Sequence, residues 1–176
     1  MISVVIPTFN EVNNILPLLN NLTDLLKDFQ YEIIIVDDDS PDGTSEEINK
    51  YKEHNKEIKL ITRIGRSGLA SAIKEGLLFA QGKYLLVIDG DGQHDPICIL
   101  KMINQIINSQ YDLIIGSRFL NDSKLVGLSD KRSLGSKIAN KFARFSLPSN
   151  YSQITDYLSG CFCLKRETTR SLIKKN

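Results

Sequence analysis

With 176 residues, 41% of them hydrophobic, the chain suits one domain with a real core and is short for two. A formal net charge of +1 excludes a nucleic-acid partner recognised by bulk positive charge, and no apolar run is long enough to cross a membrane. The N-terminus has no signal-peptide pattern. Cys98, Cys161 and Cys163 make no CxxC pair and read as reduced packing residues of a cytosolic protein.

Ile2–Ile6 is an apolar run that predicts a strand, stopped by Pro7. Asn10 is placed to cap a helix over Val12–Lys27, which carries Ile15, Leu18, Leu19 and Leu22 on one face. A second strand, Glu32–Val36, runs into the acidic stretch DDDSPDGT, residues 37–44. Ser40–Gly43 reads as a turn, and Thr44 with Glu47 as a capping box. Asp37 to Asp39 have no such structural need. Carboxylates at a strand's carboxyl end suit the ribose hydroxyls or base of a nucleotide.

Lys59–Thr62 predicts a third strand. The following loop offers Arg63 and Arg66, which can meet phosphate or remain solvated. Leu69–Ala80 predicts a helix. Gly68 and Gly76 suggest close packing, and Gly82 a C-terminal cap. Tyr84–Ile88 is a buried strand that ends in Asp89, Gly90, Asp91 and Gly92. Two carboxylates one residue apart there can converge on Mg²⁺ or Mn²⁺ and a substrate diphosphate, or form an Asx-rich turn.

A helix over Ile97–Asn108 follows Pro96, and Asp112–Ile115 is a fifth strand with Arg118 just beyond it. Strands alternating with helices predict an α/β fold with a doubly wound, mostly parallel sheet. Acidic and basic groups then collect at its carboxyl edge, which favours a phosphate-and-metal site. From Asn121 the pattern changes. A loop precedes a basic amphipathic helix, Ser129–Phe145, that can rest on an anionic membrane or be an ordinary surface helix. Cys161–Leu164 is a short apolar run, and Glu167–Lys175 a last helix.

The segments VVIPTFNE (4–11), EIIIVDDDSPDGT (32–44), VIDGDGQHDP (87–96), IIGSRF (114–119) and TDYLSG (155–160) occur in an order that resembles inverting family 2 glycosyltransferases of the GT-A fold. Within these the resemblance is to dolichyl- or polyprenyl-phosphate mannosyl- and glucosyltransferases. It implies one domain over 1–176, with a nucleotide-sugar-binding part at 1–120 and an incomplete acceptor-side part at 121–176. By position, Pro7, Phe9 and Glu11 line the nucleotide pocket, and Val36 and Asp38 meet base and ribose. Asp89, Gly90 and Asp91 bind metal and sugar diphosphate, with Gln93 as a further metal ligand. Arg118 meets the diphosphate, and Arg132, Asp156, Ser159 and Gly160 lie on the acceptor side.

The implied reaction carries a hexose from GDP-mannose or UDP-glucose to dolichyl or polyprenyl phosphate. It takes place at the cytoplasmic face of a membrane, with a membrane subunit as a candidate partner. The chain departs from the family pattern at Leu128, where an aromatic residue is usual, and it stops before the family's basic closing segment. Two other readings compete: a non-catalytic nucleotide-sugar-binding module, and a phospho-acceptor domain, in which the Asp89/Asp91 pair has no place.

Overall fold

The structure is a computed structural model that describes residues 1–92, 94–117, 156 and 159–173. Its strands are β1 (Ile2–Thr8), β2 (Tyr31–Asp37), β3 (Ile58–Thr62), β4 (Tyr84–Val87), β5 (Leu113–Ile115) and β6 (Phe162–Lys165). The helices are α1 (Ile15–Leu26), α2 (Thr44–Lys52), α3 (Leu69–Phe79), α4 (Pro96–Asn108) and α5 (Arg166–Ile173). They build one sheet in the order β3-β2-β1-β4-β6-β5.

β1 to β4 are parallel. β6 runs antiparallel to both β4 and β5, so among the described strands it is the reversed one. The expected mostly parallel, doubly wound sheet is therefore present. The apolar run at Cys161–Leu164 completes it by separating two strands that follow one another in sequence.

Alternation along the strands divides the core. Val4, Ile6, Ile33 and Ile35 pack with Ile15, Leu19, Leu22 and Leu26 of α1, Ile48 of α2 and Ile99 and Ile103 of α4. Val5, Ile34 and Val36 face the other way and pack with Ala72 of α3. Because β1 and β2 are buried on both faces, they read as continuous apolar runs rather than alternating ones. Gly76 belongs to this packing, since a Cβ there would collide with Val5 on β1.

Several boundaries differ from expectation for identifiable reasons. β1 continues through Pro7, which pairs in register with Val36. The Val5 carbonyl accepts from Ile88 N–H and the Thr8 carbonyl from Asp38 N–H. By alternation Pro7 faces the β4 side, beyond Val5, the last β1 residue paired with β4. Its missing N–H therefore removes no ladder bond. Asn10 is not a helix cap: it sits at φ 59, and α1 starts only at Ile15.

Gly82 is not a left-handed cap either. A Cβ on it would lie 2.6 Å from Ser3 Oγ and 2.7 Å from Ser3 N, so it is a close-approach glycine beneath β1. Thr44 and Glu47 form no capping box, because Gly43 occupies the N-cap of α2 at φ 93. Asp95 does cap α4, accepting from Ile97 N at 2.9 Å with Pro96 in the first turn. Cys161 and Cys163 are buried packing residues as expected, but Cys98 is exposed on α4. Burial pushes both buried thiols up to about 12. The helix expected at Ser129–Phe145 lies outside the described residues.

Candidate active site

The loops at the carboxyl ends of β1, β2, β3 and β4 meet at one edge of the sheet, and side chains bind them together. After β1, three consecutive backbone N–H groups have side-chain acceptors in the 40–44 loop. Asn10 N donates to Ser40 Oγ, Glu11 N to Thr44 Oγ1 and Val12 N to Asp42 Oδ2, at 2.9, 3.0 and 3.1 Å. Residues 40–44 are thus structural, as expected, but their task is to hold the loop after β1 rather than only to start α2. The bonds that Asp42 accepts, foremost from Thr44, hold its carboxyl below the usual range.

Asp37 and Asp38 divide sharply. Asp37 is fully buried and accepts four hydrogen bonds. These come from Thr8 Oγ1 and Ser40 Oγ on Oδ1, and from Ser40 N and Ser45 Oγ on Oδ2. A carboxylate offers about four lone-pair sites, so Asp37 has no capacity left for a ligand. The expectation that it binds nucleotide is corrected: it is a staple. Asp38 accepts from Arg63 Nη1 at 2.8 Å and from Gly68 N at 2.7 Å, which leaves half its capacity for other donors.

Neither loop arginine faces open solution as a lone cation. Arg63 is 2% exposed and paired with Asp38, while Arg66 pairs with Glu75 at 3.1 Å. Of the two expectations, phosphate contact or solvation, Arg63 fits neither, whereas Arg66 stays at the surface, 58% exposed, in an ion pair. Val36 and Pro7 are buried, and the Val36 side chain belongs to the α3 side of the core. Phe9 is 56% exposed at the end of β1, where an aromatic face can serve a flat ligand. Glu11 is half-buried and accepts from Asn14 Nδ2 at 2.7 Å.

At the end of β4, Asp89 is half-buried and Asp91 exposed. Gly90 between them lies against the loop after β1. A Cβ there would sit 3.0 Å from Thr8 Cγ2, 3.3 Å from the Pro7 carbonyl and 3.4 Å from Glu11 Cγ. Asp89 N donates to His94 Nε2 at 3.3 Å, so His94 supports the turn; no sequence signal singled it out.

From the other side comes the segment before β6. A Cβ added at Gly160 would fall inside the Asp89 carboxylate, so glycine is required where this segment crosses the site. Ser159 Oγ donates to the Gly116 carbonyl at 2.5 Å and accepts from Cys161 N at 3.1 Å. Ser159 is therefore a latch between the end of β5 and the start of β6. Asp156 is 1% exposed. Gln93, Arg118, Leu128 and Arg132 lie outside the described residues.

The donor set fits a hard divalent cation: two carboxylates on one turn, Asp89 half-buried against the Gly160 backbone and Asp91 exposed. Among the described residues no three carboxylate, imidazole or thiol side chains form a preformed cage. Mg²⁺ is typically held by one or two protein carboxylates together with substrate phosphates, and a site of this kind needs only the pair.

This architecture, a mixed sheet with polar loops gathered at the carboxyl edge, is that of GT-A glycosyltransferases. The chain belongs to glycosyl transferase family 2, whose family model matches residues 3–172. It is 37% identical over 171 residues to the dolichol-phosphate mannosyltransferase of Pyrococcus furiosus, covering 97% of this chain and 48% of that protein. The chain thus spans about half the length of that curated relative.

Two solved structures share the fold. A mannosyltransferase from Pyrobaculum calidifontis, in complex with GDP-Man and Mn²⁺, superposes with a TM-score of 0.68 at 19% identity, covering 97% of this chain and 46% of that one. Glucosyl-3-phosphoglycerate synthase from Mycobacterium tuberculosis, with Mn²⁺, UDP-glucose and phosphoglyceric acid, gives 0.67 at 18% identity, over 95% of this chain and 57% of that one. No helix among the described residues is long and apolar enough to cross a membrane.

Proposed function

We propose that this domain is the donor-binding part of an inverting hexosyltransferase that moves mannose from GDP-mannose to dolichyl or polyprenyl phosphate. The observation that carries the reading is the meeting of three segments at the end of β4. Asp89 and Asp91 are flanked by the loop after β1 through Gly90 and by the segment before β6 through Gly160. The donor and acceptor are those named for the Pyrococcus relative and the Pyrobaculum complex. UDP-glucose is the alternative donor, favoured by the Mycobacterium complex.

In this reading Asp38 accepts from the ribose, and Phe9 and Glu11 flank the nucleotide, with the buried Pro7 and Val36 supporting the loops that carry them. Asp89 and Asp91, with Gln93, hold Mg²⁺ or Mn²⁺, which when bound neutralises charge on the leaving diphosphate. Arg118 adds cationic stabilisation to the same group. A phosphate oxygen of the acceptor attacks the anomeric carbon opposite the diphosphate. The new C–O bond forms as the old one breaks, and the nucleoside diphosphate leaves with the electron pair.

A lipid phosphate is already anionic, so no general base is needed. Asp156 is therefore not assigned as a base in this reading. By resemblance, Arg132, Ser159 and Gly160 are assigned to the acceptor side. An acceptor of this kind places the domain on the cytoplasmic face of a membrane, with a membrane subunit as its candidate partner.

Calorimetric titration of GDP-mannose and of UDP-glucose, each with Mn²⁺ and with EDTA, tests the reading. Binding of one donor that requires the metal is expected, followed by glycolipid product when polyprenyl phosphate is added. Metal-independent binding, or no binding of either donor, overturns it.

A further inference from the structure

Arg63 is a buried cation that the proposed reaction leaves without a role. Its side chain is 3% exposed and enclosed by named partners. Nη1 donates to Asp38 Oδ1 at 2.8 Å and to the Gly68 carbonyl at 3.2 Å, and Nη2 donates to Ser71 Oγ at 2.6 Å. Nε lies 3.4 Å from Glu75 Oε2 without the alignment of a hydrogen bond. Its backbone N–H bonds the Asp37 carbonyl at 2.8 Å, which fixes the end of β3 to the end of β2.

Burying a guanidinium is costly unless its donors are matched, and a buried pair often adds little net stability over an apolar replacement. A device of this kind is better explained by orientation. The group oriented is Asp38, whose side chain is 9% exposed. Its second oxygen is held by Gly68 N, at the N-cap of α3. Gly68 sits at φ 124, a conformation side chains avoid, so the loop is shaped to bring that N–H to the carboxylate. Ser71 Oγ closes the ring by donating to the Gly68 carbonyl at 2.8 Å. The result is a carboxylate held by two donors, with two acceptor positions left. Its neighbour Asp37 has none.

We propose that Arg63 is a positioning residue that sets Asp38 for the ribose hydroxyls of the bound nucleotide, and so determines preference for a ribonucleotide. The inference rests on the nucleotide-sugar reading. It differs from that reading in assigning ribose selectivity to a residue that never touches the ligand.

The test compares GDP and UDP with their 2′,3′-dideoxy analogues by calorimetry in saturating Mn²⁺, on wild type, Arg63→Lys and Arg63→Gln. Wild type is expected to favour the ribonucleotide about tenfold, the worth of a hydrogen bond to a charged acceptor. Both variants are expected to bind the ribonucleotide about tenfold more weakly and to lose nothing further with the dideoxy analogue. A purely structural role would weaken both ligands together and keep the ratio, and that outcome overturns the proposal.

Ser71→Ala keeps the ion pair while removing the Nη2 partner, so it decides the matter if the Arg63 variants do not fold. A drop of about threefold in the ratio is expected, and an unchanged ratio overturns the proposal. Wild type that binds both analogues equally overturns this inference and leaves the proposed activity standing. Wild type that binds neither diphosphate removes both.

Discussion

The amino end of the sheet closes its buried carboxylate completely, and the carboxyl end closes one while leaving others to face a ligand. At the amino end, Glu32 is 4% exposed and satisfied from three directions. Ser3 Oγ donates at 2.5 Å, Gln81 N at 2.6 Å and Lys59 Nζ at 2.6 Å. Burial opposes its ionisation, but the bonds from Lys59, Ser3 and Gln81 outweigh that and hold its carboxyl below the usual range. At the carboxyl end, Asp37 is closed in the same manner, whereas Asp38 keeps two acceptor positions, and Asp89 and Asp91 are half-buried and exposed. A carboxylate whose lone pairs are all taken serves cohesion. One that is held but unfilled is available to a ligand.

That contrast is sharpest in substitutions. Asp91→Ala should lower metal-dependent donor affinity by more than about a hundredfold, read by calorimetry, with the unfolding midpoint in urea unchanged. Glu32→Ala should do the reverse. It strands Lys59 beside a partly buried site and should cost about 3 kcal/mol in urea unfolding, while donor affinity at low temperature stays at the wild-type value. A variant of Glu32 that binds donor poorly while folded would break the division between the two ends.

Gly160→Ala should fall between them. Its new methyl group displaces the Asp89 carboxylate and should weaken metal-dependent binding about tenfold, with little effect on nucleotide bound in EDTA. The smallest effect is in pH. Because folding lowers the Glu32 pKa, its stabilisation is fully present above the ordinary glutamate value of 4.5 and is lost as pH falls through the folded value. Glu32→Gln should therefore flatten the acid limb of a stability profile below about pH 4.5 and leave the neutral region parallel to wild type.

The strands and helices were largely legible because β1, β2 and β4 are apolar runs ended by polar loops, and α1 and α4 carry one apolar face each. What was not legible depends on contacts distant in sequence. The reversed direction of β6 has no signature in FCLK, four residues that pair with two strands far upstream. The Asp89–Asp91 turn and Gly160 were readable as motifs, but their contact was not. Asp37 and Asp38 are identical residues side by side. Only the placement of Thr8, Ser40 and Ser45 around one, and of Arg63 and Gly68 around the other, tells them apart. Arg63 read as a loop cation that meets phosphate or stays solvated, because no local pattern announces that a loop arginine is 2% exposed.

The place of β6 has a consequence for the order of assembly. β4 and β5 have no ladder with each other, so β5 can join the sheet only after a strand made some fifty residues later has inserted between them. Long-range pairing of this kind is slow to form. The same insertion carries Gly160 onto Asp89. One strand thus brings both β5 and Gly160 into place, so joining β5 to the sheet and covering the carboxylate turn are coupled.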